Sequence, residues 1–169
     1  MSRIRVFPDP VLTTPTEKVT AVDGEVKKLI KEMFRVMYEA EGVGLAANQI
    51  GEPVRLLVVD TSLKEGVEPV KLVLINPEIT HREGSVKSKE GCLSFPGLTV
   101  ELKRARKVTV KGLNEEGEEV ELTLEGFPAV VLQHELDHLM GRTFLDHLPA
   151  WRRRLALERY RKLLKEQSP

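Results

Sequence analysis

Apolar residues first recur at helical spacing early in the chain. Val26, Leu29, Ile30, Met33, Phe34 and Met37 form one stripe over residues 23 to 41. That stripe predicts an amphipathic helix, with Asp23 as N-cap and Gly42 as its stop. The next stretch, GVGLAANQIGEP, is small and Gly-rich, too irregular for a strand or a good helix. VRLLVVD (54–60) and KLVLINP (71–77) read as buried strands. From Leu98 the pattern turns to alternation. LTVEL, RKVTVKGL and EVELTLEG look like a run of antiparallel strands, with Gly117 in the turn between the last two. GFPAVVLQHELDHLMG predicts a helix with Pro128 in its first turn and Gly141 at its end. A final helix is expected over about 149–166. These elements predict an α+β fold: antiparallel β-sheets packed around a central HExxH helix, with further helices toward either end.

Composition narrows the class. With 169 residues, 41% hydrophobic and 31% charged, the chain reads as one globular domain over 1–169 with enough interior to need no disulfides. The opening MSRIRVFPDP lacks an apolar signal region, and no apolar run is long enough for a membrane span. A single cysteine, Cys92, suits a reducing compartment. The expectation is a cytoplasmic protein with no membrane partner. Lys+Arg and Asp+Glu both total 26, which argues against a protein that coats DNA. The balance is uneven only after Ala150, where Arg152, Arg153, Arg154, Arg159, Arg161, Lys162 and Lys165 face Glu158 and Glu166 alone.

The chemistry concentrates in His134-Glu-Leu-Asp-His138. Residues four apart share a helix face, so two imidazoles can converge on one metal ion. Glu135 borders that face, placed to take a proton from activated water. The bland alternative is a helix that happens to carry HELDH. Three ionisable groups on an apolar helix weigh against it, because burying them is costly unless a cation pairs them. A third protein ligand is expected. Asp146 and His147 lie downstream, but Cys92 is the better candidate, held in the shaped segment Glu90-Gly-Cys-Leu-Ser-Phe-Pro-Gly97. Taken alone, Cys92 reads as a small buried residue. Gly42-Val-Gly-Leu-Ala-Ala-Asn-Gln49 permits close backbone approach and ends in an amide donor; it follows a helix and lacks nucleotide-fingerprint spacing.

Together GVGLAANQ (42–49), EGCLS (90–94) and QHELDHLMG (133–141) resemble, in order and spacing, the three motifs of the bacterial-type peptide deformylases. The resemblance covers essentially the whole chain. It implies removal of the formyl group from N-formylmethionyl nascent peptides, with release of formate. It implies that Cys92, His134 and His138 bind one divalent metal, natively Fe²⁺, with Zn²⁺, Ni²⁺ or Co²⁺ able to substitute. Glu135 would serve as acid and base. The Leu93 backbone N–H and the Gln49 side chain would stabilise the oxyanion. Val43, Gly44 and Gly91 would line the substrate backbone. Val43, Phe127 and Val130, near Glu90, would wall the methionine pocket. An Asp137–Arg104 pair would tie the metal helix to the strands; His81 and His147 read as ordinary polar residues.

Some members of the family end in a basic helix that docks on ribosomal RNA, and 150–166 would be that helix here; the plainer reading is a solvated helix packing its apolar side inward. Two rivals remain. A zincin-type HExxH endopeptidase would tolerate loss of Cys92. A structural or sensing metal module would need a fourth protein ligand.

Overall fold

The computed structural model describes residues 2–167. In chain order it contains α1 (Gly24–Glu39), β1 (Gly44–Ala46), β2 (Leu56–Asp60), β3 (Lys71–Glu83), β4 (Val86–Cys92), β5 (Phe95–Arg104), β6 (Lys107–Leu113), β7 (Glu119–Glu125), α2 (Phe127–Leu139) and α3 (Ala150–Gln167). The strand pairs are antiparallel. They form a five-stranded sheet ordered β1-β2-β3-β6-β7 and a separate hairpin, β4-β5. This is the expected α+β architecture, with the HExxH helix at its centre.

The apolar run of β2 has a simple cause. Leu57 and Val59 pack toward α2 with Leu74, Val108, Val110, Ala129 and Leu132. Leu56 and Val58 pack toward α1 with Ile30, Met33 and Met37. A strand covered on both faces loses the apolar–polar alternation. A third cluster joins the β4-β5 hairpin to α3 through Phe95, Leu98, Val100, Leu102, Phe144, Ala156 and Tyr160.

Local signals explain most boundaries. Asp23 accepts from Val26 N at 3.1 Å and caps α1. At the other end the left-handed residue is Glu41, at φ 58°, not Gly42. Gly42 N instead bonds Met37 O at 2.9 Å. Its missing side chain makes room for Leu93, which a Cβ there would meet at 2.9 Å.

Three expectations need correction, and one strand had no assignment. The 42–50 stretch is not irregular throughout, because Gly44–Ala46 pairs with β2 and Ala47–Ile50 makes a 3₁₀ turn. β3 continues through Pro77 to Glu83; the proline sits where the register with β6 shifts, so its missing N–H breaks no regular ladder. The segment 86–92 is a strand, although Val86 is its only aliphatic residue; it is strand because β5 pairs along it. β5 pairs with β4 rather than with β6, so the alternating run divides between two sheets.

Candidate active site

β4 and α2 bring the predicted ligands together. Along β4 the inward parity falls on Val86, Ser88, Glu90 and Cys92. Cys92 ends the strand beside a register shift, and Leu93 and Ser94 make the turn into β5. Cys92 Sγ lies 3.3 Å from His138 Nε2, which lies 3.3 Å from His134 Nε2. The three donor atoms fall within 4.8 Å of one another. Ligands about 2.0–2.3 Å from a tetrahedral ion sit roughly 3.3–3.7 Å apart, and the two 3.3 Å spacings match that range. Among the described residues no fourth His, Cys, Asp or Glu joins this set. The zincin reading loses its third ligand. Asp146 accepts from Thr143 N at 2.8 Å, and His147 turns to Asp137 at 2.7 Å.

The tautomer of His134 is fixed by its neighbour. Its Nδ1 donates to Glu90 Oε1 at 2.8 Å, so Nε2 is the nitrogen left for a metal, which would displace any proton held there. Glu90 also takes both arms of Arg104, at 2.9 and 2.8 Å. Arg104 Nη1 donates to Asp137 Oδ2 at 2.6 Å, and His147 Nε2 donates to the same oxygen. The anticipated Asp137–Arg104 pair is therefore present. His147, read as an ordinary polar residue, is its outer member. Burial alone would raise the Glu90 carboxyl; Arg104 and His134 hold it well below the usual range. Burial would lower His134, but Cys92, Glu90 and Glu135 raise it well above its ordinary value. Burial and the His134 charge push His138 down to about 3, so it is neutral, as a ligand must be.

Glu135 is treated differently. It is buried, and its Oε1 has no hydrogen-bond partner. Burial pushes its carboxyl up to about 7, against the pull of His134. Gly44 makes this arrangement possible. A Cβ there would come within 2.6 Å of Glu135 Oε2 and 2.8 Å of Val131 Cγ1. Gln49 is oriented by its own oxygen, which accepts from Ala46 N at 2.9 Å. Its amide nitrogen then points to Ser94 Oγ at 3.1 Å, with Cys92 Sγ 3.8 Å away.

Less conspicuous motif positions hold the helix in place. Gln133 bonds both backbone groups of Ala105, with N–H···O distances of 3.0 and 2.9 Å, and fixes α2 on the link between β5 and β6. Asn48 donates to His138 O at 2.6 Å, which satisfies a carbonyl in the last turn of α2.

A cavity of about 620 Å³ opens over this cluster. Val43, Gly44, Gln49, Glu90, Gly91, Cys92, Leu93, Phe127, Val130, His134 and Glu135 all line it, and His138 lies fully buried behind. Sequence reasoning missed Lys64 and Leu98 on the same wall. Lys64 Nζ stands 4.2 Å over the Phe127 ring, a loop contact with no periodic signal. Leu98 was legible, since it has the inward parity of Val100 and Leu102.

Comparison with known proteins agrees with this geometry. The family profile described as polypeptide deformylase matches residues 1–154. The chain is 65% identical over 165 residues to a peptide deformylase of Aquifex aeolicus, covering 98% of each. It is 46% identical to one from Thermodesulfovibrio yellowstonii, covering 94% of this chain and 95% of the other. A crystal structure of a peptide deformylase from Legionella pneumophila superposes with a TM-score of 0.89 at 40% identity, covering 100% of this chain and 99% of that one. One from Ehrlichia chaffeensis in complex with actinonin gives 0.88 at 38%, covering 99% and 100%. With the motif residues brought together on one cavity wall, the chain belongs to the peptide deformylase family.

Proposed function

We infer that this chain removes the formyl group from N-formylmethionyl peptides through the residues gathered on the cavity wall. The observation that carries this reading is the unpartnered Glu135 carboxyl beside three converging metal donors at one cavity. Cys92, His134 and His138 would hold a divalent metal, which when bound lowers the pKa of water and polarises the formyl carbonyl.

The remaining work falls to the chain's own groups. Glu135 takes a proton from the attacking water and delivers it to the methionine nitrogen as the C–N bond breaks. A carboxyl that titrates near neutral pH suits both transfers. The products are formate and a free amine. The Gln49 amide and the Leu93 N–H donate to the carbonyl oxygen as charge develops on it. Glu90 keeps His134 in the tautomer that offers Nε2.

Substrate backbone lies between two open strand edges. Val43 O accepts from Asp60 N at 2.8 Å, so alternation leaves the Gly44 N–H and C=O on the free side of β1. A Cβ on Gly91 would meet nothing nearer than 3.8 Å. Packing does not demand that glycine, and close approach of a peptide gives it a reason. Val43, Phe127 and Val130 form the apolar wall for the methionine side chain.

Iron(II) is the native ion in this reading, with zinc, nickel or cobalt as substitutes, since thiolate and imidazole ligands suit each. The reaction belongs in the cytoplasm, where a lone cysteine stays reduced. Residues 1–169 act as one domain. The basic face of α3 contacts the ribosome. Arg154, Arg161, Lys162 and Lys165 are all exposed there, while Ala156 and Tyr160 pack inward. Deleting residues 152–169, of which 168 and 169 lie outside the described residues, should weaken that association in a salt-dependent manner.

The decisive experiment is formate release from a formyl-Met tripeptide by anaerobically prepared protein, with an unblocked peptide and casein as controls. Formate from the blocked peptide alone, lost on exposure to air, supports a ferrous deformylase. Casein cleavage without formate would overturn it.

A further inference from the structure

Hydrolysis at the N-terminal formyl group leaves the whole downstream polypeptide to leave the cavity. Its apolar side is taken by Phe127, Val130 and Val131, with Lys64 over the Phe127 ring. Lys89 and Thr99 line the cavity as well. These two residues also line a second, neighbouring cavity of about 350 Å³ between β5 and α3. Its far wall is a stripe on α3. Trp151, Leu155 and Arg159 are spaced four apart and share one helix face. Trp151 is 65% exposed and Leu155 54% exposed, side by side on an otherwise polar helix surface. Apolar pairs on a surface mark contact sites more often than scattered single residues do.

We propose that the cleft between β5 and α3 is a continuation of the peptide site that binds the substrate segment emerging from the active-site cavity. The proposal rests on the deformylase reading above. Three observations carry it. The cleft adjoins the active-site cavity, with Lys89 and Thr99 lining both. It offers main-chain groups, because β5 pairs only with β4 and its outer edge is open. Arg152 Nη2 already donates to Glu101 O at 2.6 Å on that edge, and alternation turns the Thr99 backbone to the same side. An extended peptide can use such an edge as an added strand. Lys89, Arg152 and Arg159 outnumber Glu101 around the cleft, so it favours acidic and apolar side chains.

The test compares three formylated peptides: a formyl-Met tripeptide, a decapeptide with Asp, Leu and Phe after the third residue, and a decapeptide with Gly and Ser there. The wild-type protein is set beside Trp151→Ala and Arg159→Glu. Both side chains are exposed, so the variants should keep the thermal midpoint. The acidic-apolar decapeptide should exceed the tripeptide in kcat/KM by about fivefold or more. Either variant should remove most of that gain and leave the tripeptide rate unchanged. A Gly/Ser decapeptide that performs equally well, or variants that change nothing, would overturn the proposal while leaving the deformylase reading intact. Variants that weaken ribosome co-sedimentation but not decapeptide hydrolysis would assign the stripe to RNA and also overturn it. No formate from the tripeptide would sink the deformylase reading itself, and this proposal with it.

Discussion

Two regions meet at His134, and each contains a buried carboxylate. On the Nδ1 side Glu90 sits in a saturated cluster with Arg104, Asp137 and His147. On the Nε2 side Glu135 faces the cavity with an oxygen that nothing satisfies. Burial acts on both in the same direction. Arg104 hydrogen-bonds Glu90 directly and reaches Glu135 only at a distance, so Glu90 stays well below the usual carboxylate range while Glu135 rises to about 7. A satisfied buried charge fixes geometry, whereas an unsatisfied one is free to exchange a proton. The division of labour between positioning and chemistry is thus written in hydrogen-bond partners rather than in residue type.

The largest effect should come from breaking the cavity side. Glu135→Gln preserves shape and removes the proton carrier. Formate release should fall about 10²–10⁴-fold, with metal content unchanged by elemental analysis. Because no buried partner is stranded, the thermal midpoint should not fall. A midpoint lowered as far as the rate would mean that Glu135 is structural after all.

The mirror-image change is Arg104→Ala. It leaves Glu90 and Asp137 buried without their common cation, and removing one member of a buried ion pair costs about 3–5 kcal/mol. Urea unfolding should show that loss. A variant as stable as wild type would mean that the cluster carries no structural weight.

These two carboxylates also show what was legible in the sequence. HELDH announced Glu135 and both imidazoles, because helical spacing alone converges them. Arg104 was legible too. It continues the parity of Leu98, Val100 and Leu102, so a charged residue was due to face inward. Its partner Glu90 shares the inward parity of Cys92. What alternation does not give is which strands pair. The run from Leu98 to Glu125 has one pattern but lies in two sheets, and only the third dimension brings β4 against α2. His147 was missed for the same reason. It lies ten residues beyond Asp137 across a helix end, and no local period connects them. Gly44 and Gly91 look alike in sequence as well, yet a Cβ at Gly44 would strike Glu135 while one at Gly91 would meet only ordinary contacts.

A smaller effect should follow from Glu90→Gln. The amide can still face His134, but it no longer draws the Nδ1 proton with a full charge. Carboxylate partners of this kind typically contribute about 10–100-fold to metal affinity. Competition with a chelator should show a loss in that range, with kcat little changed once the site is loaded with metal. A kcat loss matching that of Glu135→Gln would erase the distinction between the two sides.

The smallest expected effect tests where the positioning cluster ends. His147 is 36% exposed on its side chain and reaches the cluster at its outer edge, 2.7 Å from Asp137 Oδ2 and 3.2 Å from Arg104 Nη1. Solvent therefore screens its contribution, and exposed pairs are worth about 0–1 kcal/mol. His147→Ala should lower stability by no more than that, and metal affinity by less than about twofold. Asp137→Ala should do more, because it strips Arg104 of its second buried anion. If His147→Ala instead weakened metal binding as far as Glu90→Gln does, the cluster would be a relay running from the surface to the ligand. If Asp137→Ala did no more than an arbitrary surface change, positioning would end at Arg104. Between these outcomes lies the graded decline that burial predicts, steep at Glu90 and nearly flat at His147.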